Sequence, residues 1–159
     1  MSNIVFNDYK TSLVLGTAGV TTGDNGNLHC AILTSGHTPV ESDTWSSINS
    51  YIATDTAHST AADQVVSNVS VATTTGAQAT DDVVEITGET VTWSESTITG
   101  HYALVYIAGA TTADNKLVCV YDFGADKSSQ DGDFSIIWNG ANSQNNNVGT
   151  ILKVSQAST

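Results

Sequence analysis

Four histidines, sixteen aspartates and glutamates, two cysteines and many serines are the groups in this chain that can do acid–base, nucleophilic or metal chemistry. Their spacing decides which of these is open to it. His29, His37, His58 and His101 lie on four separate segments, with no His-Glu-x-x-His or other ligand spacing between them. Asp122, Asp126, Asp131 and Asp133 crowd one turn and carry the oxygen chemistry of calcium ligands. Their spacing departs from the Asp-x-[Asp/Asn]-x-[Asp/Asn]-Gly loop, however, and the closing Glu is missing. Asp122-Phe123-Gly124 matches the magnesium-binding tripeptide of protein kinases, but the Gly-rich loop, the strand lysine and the His-Arg-Asp triplet are absent, the last because the chain has no arginine. Asp122 is expected instead to bond amides of its own turn. Serine, histidine and aspartate are all present, yet there is no Gly-x-Ser-x-Gly elbow. Gly23, Gly26 and Gly36 lack the lysine and the helix that a phosphate-cradling loop needs. Cys30 and Cys119 sit in apolar runs without a Cys-x-x-Cys partner. They read as small buried hydrophobes, with a single disulfide between distant strands as the alternative. No catalytic, cofactor-binding or metal-binding residue is therefore expected, and no enzymatic activity.

Charge narrows the partners. Of 159 residues, sixteen are acidic and four are lysines, giving a formal net charge of -12. A protein that held nucleic acid by its phosphates would need clustered Lys and Arg, so nucleic acid and anionic membrane are both poor partners. Charged residues are only 13% of the chain and apolar ones 40%, a balance that suits a folded domain rather than an acidic tail. The length suits one core. Residues 1–10 have no positively charged n-region and no long apolar segment, and nowhere do about 18 apolar residues run together. The chain is thus expected to be made and folded in a cytosol.

The elements that must position these groups are mostly strands. Thr, Val, Ile, Tyr and Trp recur in short runs separated by Gly, Asn, Asp and Ser. The period of two puts Leu28, Cys30 and Ile32 on one face, and Tyr102, Leu104 and Tyr106 opposite Ala103, Val105 and Ile107 in a central strand. It also groups Leu117, Cys119 and Tyr121, then Phe134, Ile136 and Trp138. Val65 to Thr73 reads as one half-buried strand, Val83 to Thr87 as another, and Thr90 to Trp93 as a strand turned by Ser94-Glu95-Ser96. Ile151 to Val154 closes the sheet. Trp45, Ile48 and Tyr51 recur every three residues and predict a helical turn, the one short helix expected, within residues 41–51. Residues 1–15 read as an N-terminal arm, and the Asn-rich stretch 139–149 as an exposed polar loop. The expected fold is all-β: a single-domain antiparallel β-sandwich over residues 1–159, for which a jelly roll is one arrangement.

Five stretches carry a resemblance. They are Asp81-Asp82-Val83-Val84-Glu85-Ile86, then Val91 to Thr99, His101-Tyr102-Ala103-Leu104-Val105-Tyr106, Leu117 to Gly124 and Gly132 to Asn139. With Ala31 to Ser35 before Thr38-Pro39 upstream, this arrangement resembles a family of small virion structural proteins of tailed bacteriophages. Relatives often carry arginine before the tyrosine where this chain has Gly100-His101, and the run Asn142 to Asn147 is an addition. The resemblance implies a head or tail component of the virion. Set beside the acidity, it leads to a capsid decoration or cement protein bound outside the head shell, synthesised in the host cytoplasm. Its expected partners are the major capsid protein and copies of itself, as a dimer or trimer, with Phe6, Tyr9 and Trp45 as expected anchors. The alternative is a tail- or fibre-associated component, such as a carbohydrate-binding module that contacts the host. The shared aromatics Trp93, Tyr106, Phe134 and Trp138 read as core, each able to bury about 150–250 Å². Gly124 and Gly132 are expected to bracket a turn and to need positive φ or close approach.

Overall fold

The computed structural model describes residues 3–15, 27–74 and 83–155. Met1, Ser2, Gly23, Gly26, Asp81 and Asp82 lie outside them. The organising element is one long two-stranded ribbon folded over on itself. Strands β9 (Thr99–Ile107) and β10 (Lys116–Ser128) pair antiparallel, from Ile107 opposite Lys116 to Thr99 opposite Ser128. Strands β8 (Val91–Ser96) and β11 (Gly132–Ile136) continue the same pairing, from Ser96 opposite Gly132 to Val91 opposite Ile136. Residues 97–98 and 129–131 form the corner between the two halves.

Each half nucleates a sheet. On one side β9 and β10 are joined by β1 (Ile4–Val5), β2 (Leu28–Leu33) and β5 (Asp63–Val65) in the order β1-β10-β9-β2-β5. On the other, the β8–β11 pair is linked by a bridge between Asn139 and Thr150 to a sheet of β12 (Val148–Ser155), β7 (Val83–Glu89) and β6 (Ser70–Thr74). A small hairpin of β3 (Thr54–Asp55) and β4 (Thr60–Ala61) forms a two-stranded sheet of its own, hung from β2 by the bonds of Ala53 and Ala62 to Ile32. All pairings are antiparallel, and the layers face each other across one core. The architecture is all-β and sandwich-like, as the alternating patterns predict.

Alternation fixes which side chains fill it. Leu28, Cys30 and Ile32 meet Ala103 and Val105 from the first sheet, and Val91, Trp93, Phe134, Ile86 and Ile151 from the second. The reverse face of the first sheet carries its own cluster of Ala31, Leu33, Tyr102, Leu104 and Tyr106. That second cluster is covered by Phe6 and by helix α2 (Trp45–Ile48), whose Trp45 ring lies 4.5 Å from the ring of Tyr106. Gly100 is required here: a Cβ would lie 2.0 Å from Cγ2 of Ile32, so only glycine lets β9 pass β2.

Several expectations give way. The N-terminal segment is no free arm, because Phe6 and Tyr9 are fully buried and β1 pairs with β10. Residues 7–14 form a second helix, α1 (Asn7–Val14), whose Lys10 pairs with Glu41 at 2.9 Å. The expected strand from Val65 to Thr73 is two strands in different sheets, because Asn68 at φ 50° turns the chain between them. Ser94-Glu95-Ser96 is still strand, with the corner just beyond. A register shift between Leu117 and Cys119 splits the expected trio: Leu117 joins the outer cluster, while Cys119 and Tyr121 face the inter-sheet core. Gly124 does take positive φ, 74°, in a bulge of β10, whereas a Cβ on Gly132 would make only an ordinary 3.7 Å contact. The Asn-rich loop is exposed and self-capped, with Asn142 accepting from the N–H groups of Gln144 and Asn145.

Candidate functional site

Two of the openings among the described residues lie where chemistry-bearing or aromatic side chains gather. The larger is a groove of about 770 Å³ on the concave side of the folded ribbon, flanked by Asn3 beside β1 and by Thr150 of β12. Tyr121 and Phe123 of β10 and Phe134, Ile136 and Trp138 of the β11 segment form its floor. The rings support one another, with centroids 6.0 Å apart for Tyr121 and Trp138 and 6.4 Å for Phe123 and Phe134. Trp138 is pinned from behind, its indole N–H donating to the carbonyl of Glu89 at 2.7 Å. Burial first, then the neighbouring Cys119 thiol, pushes the Tyr121 phenol up, so it stays neutral.

The lip of the groove is unlike its floor. Ile137 points the other way from Phe134, Ile136 and Trp138, and it is 69% exposed, the most exposed large apolar side chain among the described residues. Asp122, Asp133 and Lys127 complete the rim. Both rim aspartates also organise backbone: Asp122 accepts the Gly124 N–H at 2.7 Å, as the sequence predicts, and Asp133 accepts that of Glu95 at 3.2 Å. His101 stands beside them, its Nε2 3.4 Å from Asp122 and its Nδ1 2.7 Å from Asp126.

The second opening, about 310 Å³, lies between β5 and β8 and is polar. Asp55 is buried at its edge. It accepts the N–H groups of Thr97 at 3.0 Å and Ala57 at 3.1 Å, and faces Nδ1 of His58 at 2.6 Å. Since Thr97 belongs to the corner, this carboxylate ties the β3–β4 hairpin to the fold in the ribbon. The Thr97 N–H leads in holding the Asp55 carboxyl below its ordinary range, against burial and with help from His58 and Ala57. Asp63 lines the same cleft, accepting from the Tyr106 hydroxyl at 2.6 Å and standing 3.2 Å from Nδ1 of His29. Burial and then Asp63 push the Tyr106 phenol up. The indole N–H of Trp93, also on this cleft, has no hydrogen-bond partner among the described residues.

Every histidine thus meets a carboxylate, the fourth being His37, 2.8 Å from Asp43. Asp43 also accepts from Val40 N–H and from Ser47, and these contacts outweigh burial to lower its carboxyl. The Asp55–His58 pair is oriented as in a general-base dyad, but no hydroxyl among the described residues is hydrogen-bonded to its imidazole. Among those residues, too, no three His, Cys, Asp or Glu side chains group to hold a metal ion, and no helix is long and apolar enough to cross a membrane. Asp131, the remaining member of the acidic turn, bonds Thr97 instead. Cys30 and Cys119 are free and buried, and burial raises both thiols, Cys119 to about 12. Of the expected anchors, Phe6 and Tyr9 are core and Trp45 is half-buried against Tyr106; Ile137 was not singled out by the sequence. No family model matches this chain, and no match was found among curated proteins or solved structures.

Proposed function

We propose that this protein is a structural component of a tailed-phage virion, a decoration or cement protein on the outside of the head shell that joins neighbouring capsid subunits. The observation that carries this reading is the apolar groove at the seam of the sandwich, with Ile137 exposed at its lip. A groove that leaves Tyr121, Phe123 and Ile136 half-buried and Ile137 exposed is a site for burying another surface, and a joint between shell subunits gains strength from buried area without any catalysis. The net charge of -12 favours the outer face of a shell over an interior lined with DNA. The major capsid protein and further copies of this chain are the partners.

The tail-fibre reading, a carbohydrate-binding module, asks for ring faces open to a sugar. Phe134 and Trp138 are buried and Tyr121 and Phe123 half-buried, less open than stacking a saccharide asks, whereas the exposed Ile137 and the free strand edge suit a protein partner. Cryo-EM of purified particles tests the proposal: hundreds of copies on the outer head surface are expected. Confinement to the tail vertex, or absence from the particle, would overturn it.

A further inference from the structure

The groove is bounded by strand edges that have lost their partners. Among the described residues, β1 pairs only with Val120 and Cys119, so β10 runs on to Ser128 bonded to β9 alone. Strand β11 is bonded to β8 and its continuation to β12 through the Asn139–Thr150 bridge, and among the described residues no further strand pairs with it. In an antiparallel ladder alternate residues turn their N–H and C=O groups away from the partner, so the outer edge of β11 holds a row of unused donors and acceptors. Five residues of β11 at about 3.3 Å each offer roughly 17 Å of edge. The floor beneath is apolar, and the rim carries two carboxylates, Asp122 and Asp133, against one lysine, Lys127.

Resting on the virion reading above, we infer that the groove takes an extended, lysine- or arginine-bearing segment of the shell subunit, which adds as a strand to the free edge of β11. Backbone pairing supplies the register. Alternate apolar side chains of the segment enter between Phe134 and Trp138, and Ile137 covers the strand from the lip. Cations on its outward positions meet Asp122 and Asp133, compensating for a chain that has no arginine of its own to anchor with.

The full-length protein is titrated by NMR with short acetylated peptides alternating Lys and Val, with the same peptides carrying Glu for Lys, and with maltohexaose. Shifts confined to residues 133–138 and neighbouring groove positions are expected with the Lys peptide, at an affinity about ten-fold or more above the Glu peptide. Ile137→Asp, at an exposed position, should weaken that binding about ten-fold. Asp122→Asn with Asp133→Asn keeps an acceptor oxygen for the Gly124 and Glu95 amides and should erase most of the preference for lysine. Absence of shifts in β11, equal binding of the Glu peptide, or shifts there with maltohexaose alone overturns the inference. Particles separate it from the reading beneath. Heads that keep the Ile137→Asp protein at full occupancy sink the groove inference and leave the decoration role standing, whereas peptide binding by a protein that is absent from heads does the reverse.

Discussion

The two seams of the sandwich are lined by opposite chemistry. At the β5–β8 seam the carboxylates are bonded: Asp55 takes the Thr97 and Ala57 N–H groups and an imidazole, and within the first sheet the Tyr106 hydroxyl and His29 converge on Asp63, leaving the Trp93 indole N–H as the one buried side-chain group without a partner among the described residues. At the β10–β11 seam it is rings that meet, Tyr121 against Trp138 and Phe123 against Phe134, and they form the floor of an open groove. A seam sealed by satisfied hydrogen bonds gains little from a partner, since each bond would have to be exchanged for another. A seam floored by rings gains buried apolar area from any surface that fits. The difference singles out the β10–β11 side for the interface proposed above.

The strongest way to break this contrast is to remove the floor. Trp138→Ala deletes a side chain that is 4% exposed, empties the space beside Tyr121 and leaves the Glu89 carbonyl without its donor. It should cost about 3–5 kcal/mol in denaturant unfolding. A loss below about 1 kcal/mol would mean that the groove floor is not part of the core.

Acid should act on the other seam through Asp55, and on the loop before α2 through Asp43. Asp43 and Asp55 have folded-state carboxyls below their ordinary range, so the folded protein binds fewer protons than the unfolded chain at low pH. Their contribution is complete above the unfolded value of about 3.9 and drains away as pH falls through the lower folded values. Thermal unfolding followed between about pH 6 and pH 2 should show Tm falling steeply at the acid end. Asp55→Asn should be less stable than the parent at neutral pH and should converge with it in acid. Parallel curves would remove Asp55 from the account of that seam.

Much of this contrast could be read from residue order, and what could not has a physical cause. The alternation through residues 101–107 and 134–138 assigns faces correctly, because strands buried on both sides or flanked by aromatics leave one register that fits. The one-residue shift at Leu117/Cys119 and the turn at Asn68 leave no mark in the hydrophobic pattern, so period counting runs straight through them. The helix at residues 7–14 escaped because its aromatic contacts are long-range: Phe6 and Tyr9 bury in different clusters. Two of the His–Asp pairs, His58 with Asp55 and His37 with Asp43, are close enough in sequence to have been suspected. His29 with Asp63 and His101 with Asp126 are 34 and 25 residues apart and become neighbours only through strand pairing. The floor of the groove was legible as a set of apolar residues; its openness was not, because that follows from the fold in the ribbon.

The smallest effect gives the sharpest comparison, since each seam has one tryptophan and only one of the two indoles is satisfied. Trp138 donates to Glu89, whereas Trp93, 3% exposed, donates to nothing among the described residues. Trp93→Phe has two opposing consequences. It removes part of a ring that packs edge-on against Phe134 at 6.1 Å, which costs about 1–2 kcal/mol in lost contact and residual cavity. It also removes a buried donor whose desolvation penalty is about 1–3 kcal/mol and is offset by no bond. The two should cancel to within about 1 kcal/mol, so urea midpoints of parent and variant should nearly coincide. The same change at position 138 carries the cavity cost and an orphaned carbonyl together, so Trp138→Phe should be the more damaging of the pair. If Trp93→Phe proves as costly as Trp138→Phe, the indole N–H of Trp93 has a partner in solution, and the polar cleft beside it holds a bound acceptor.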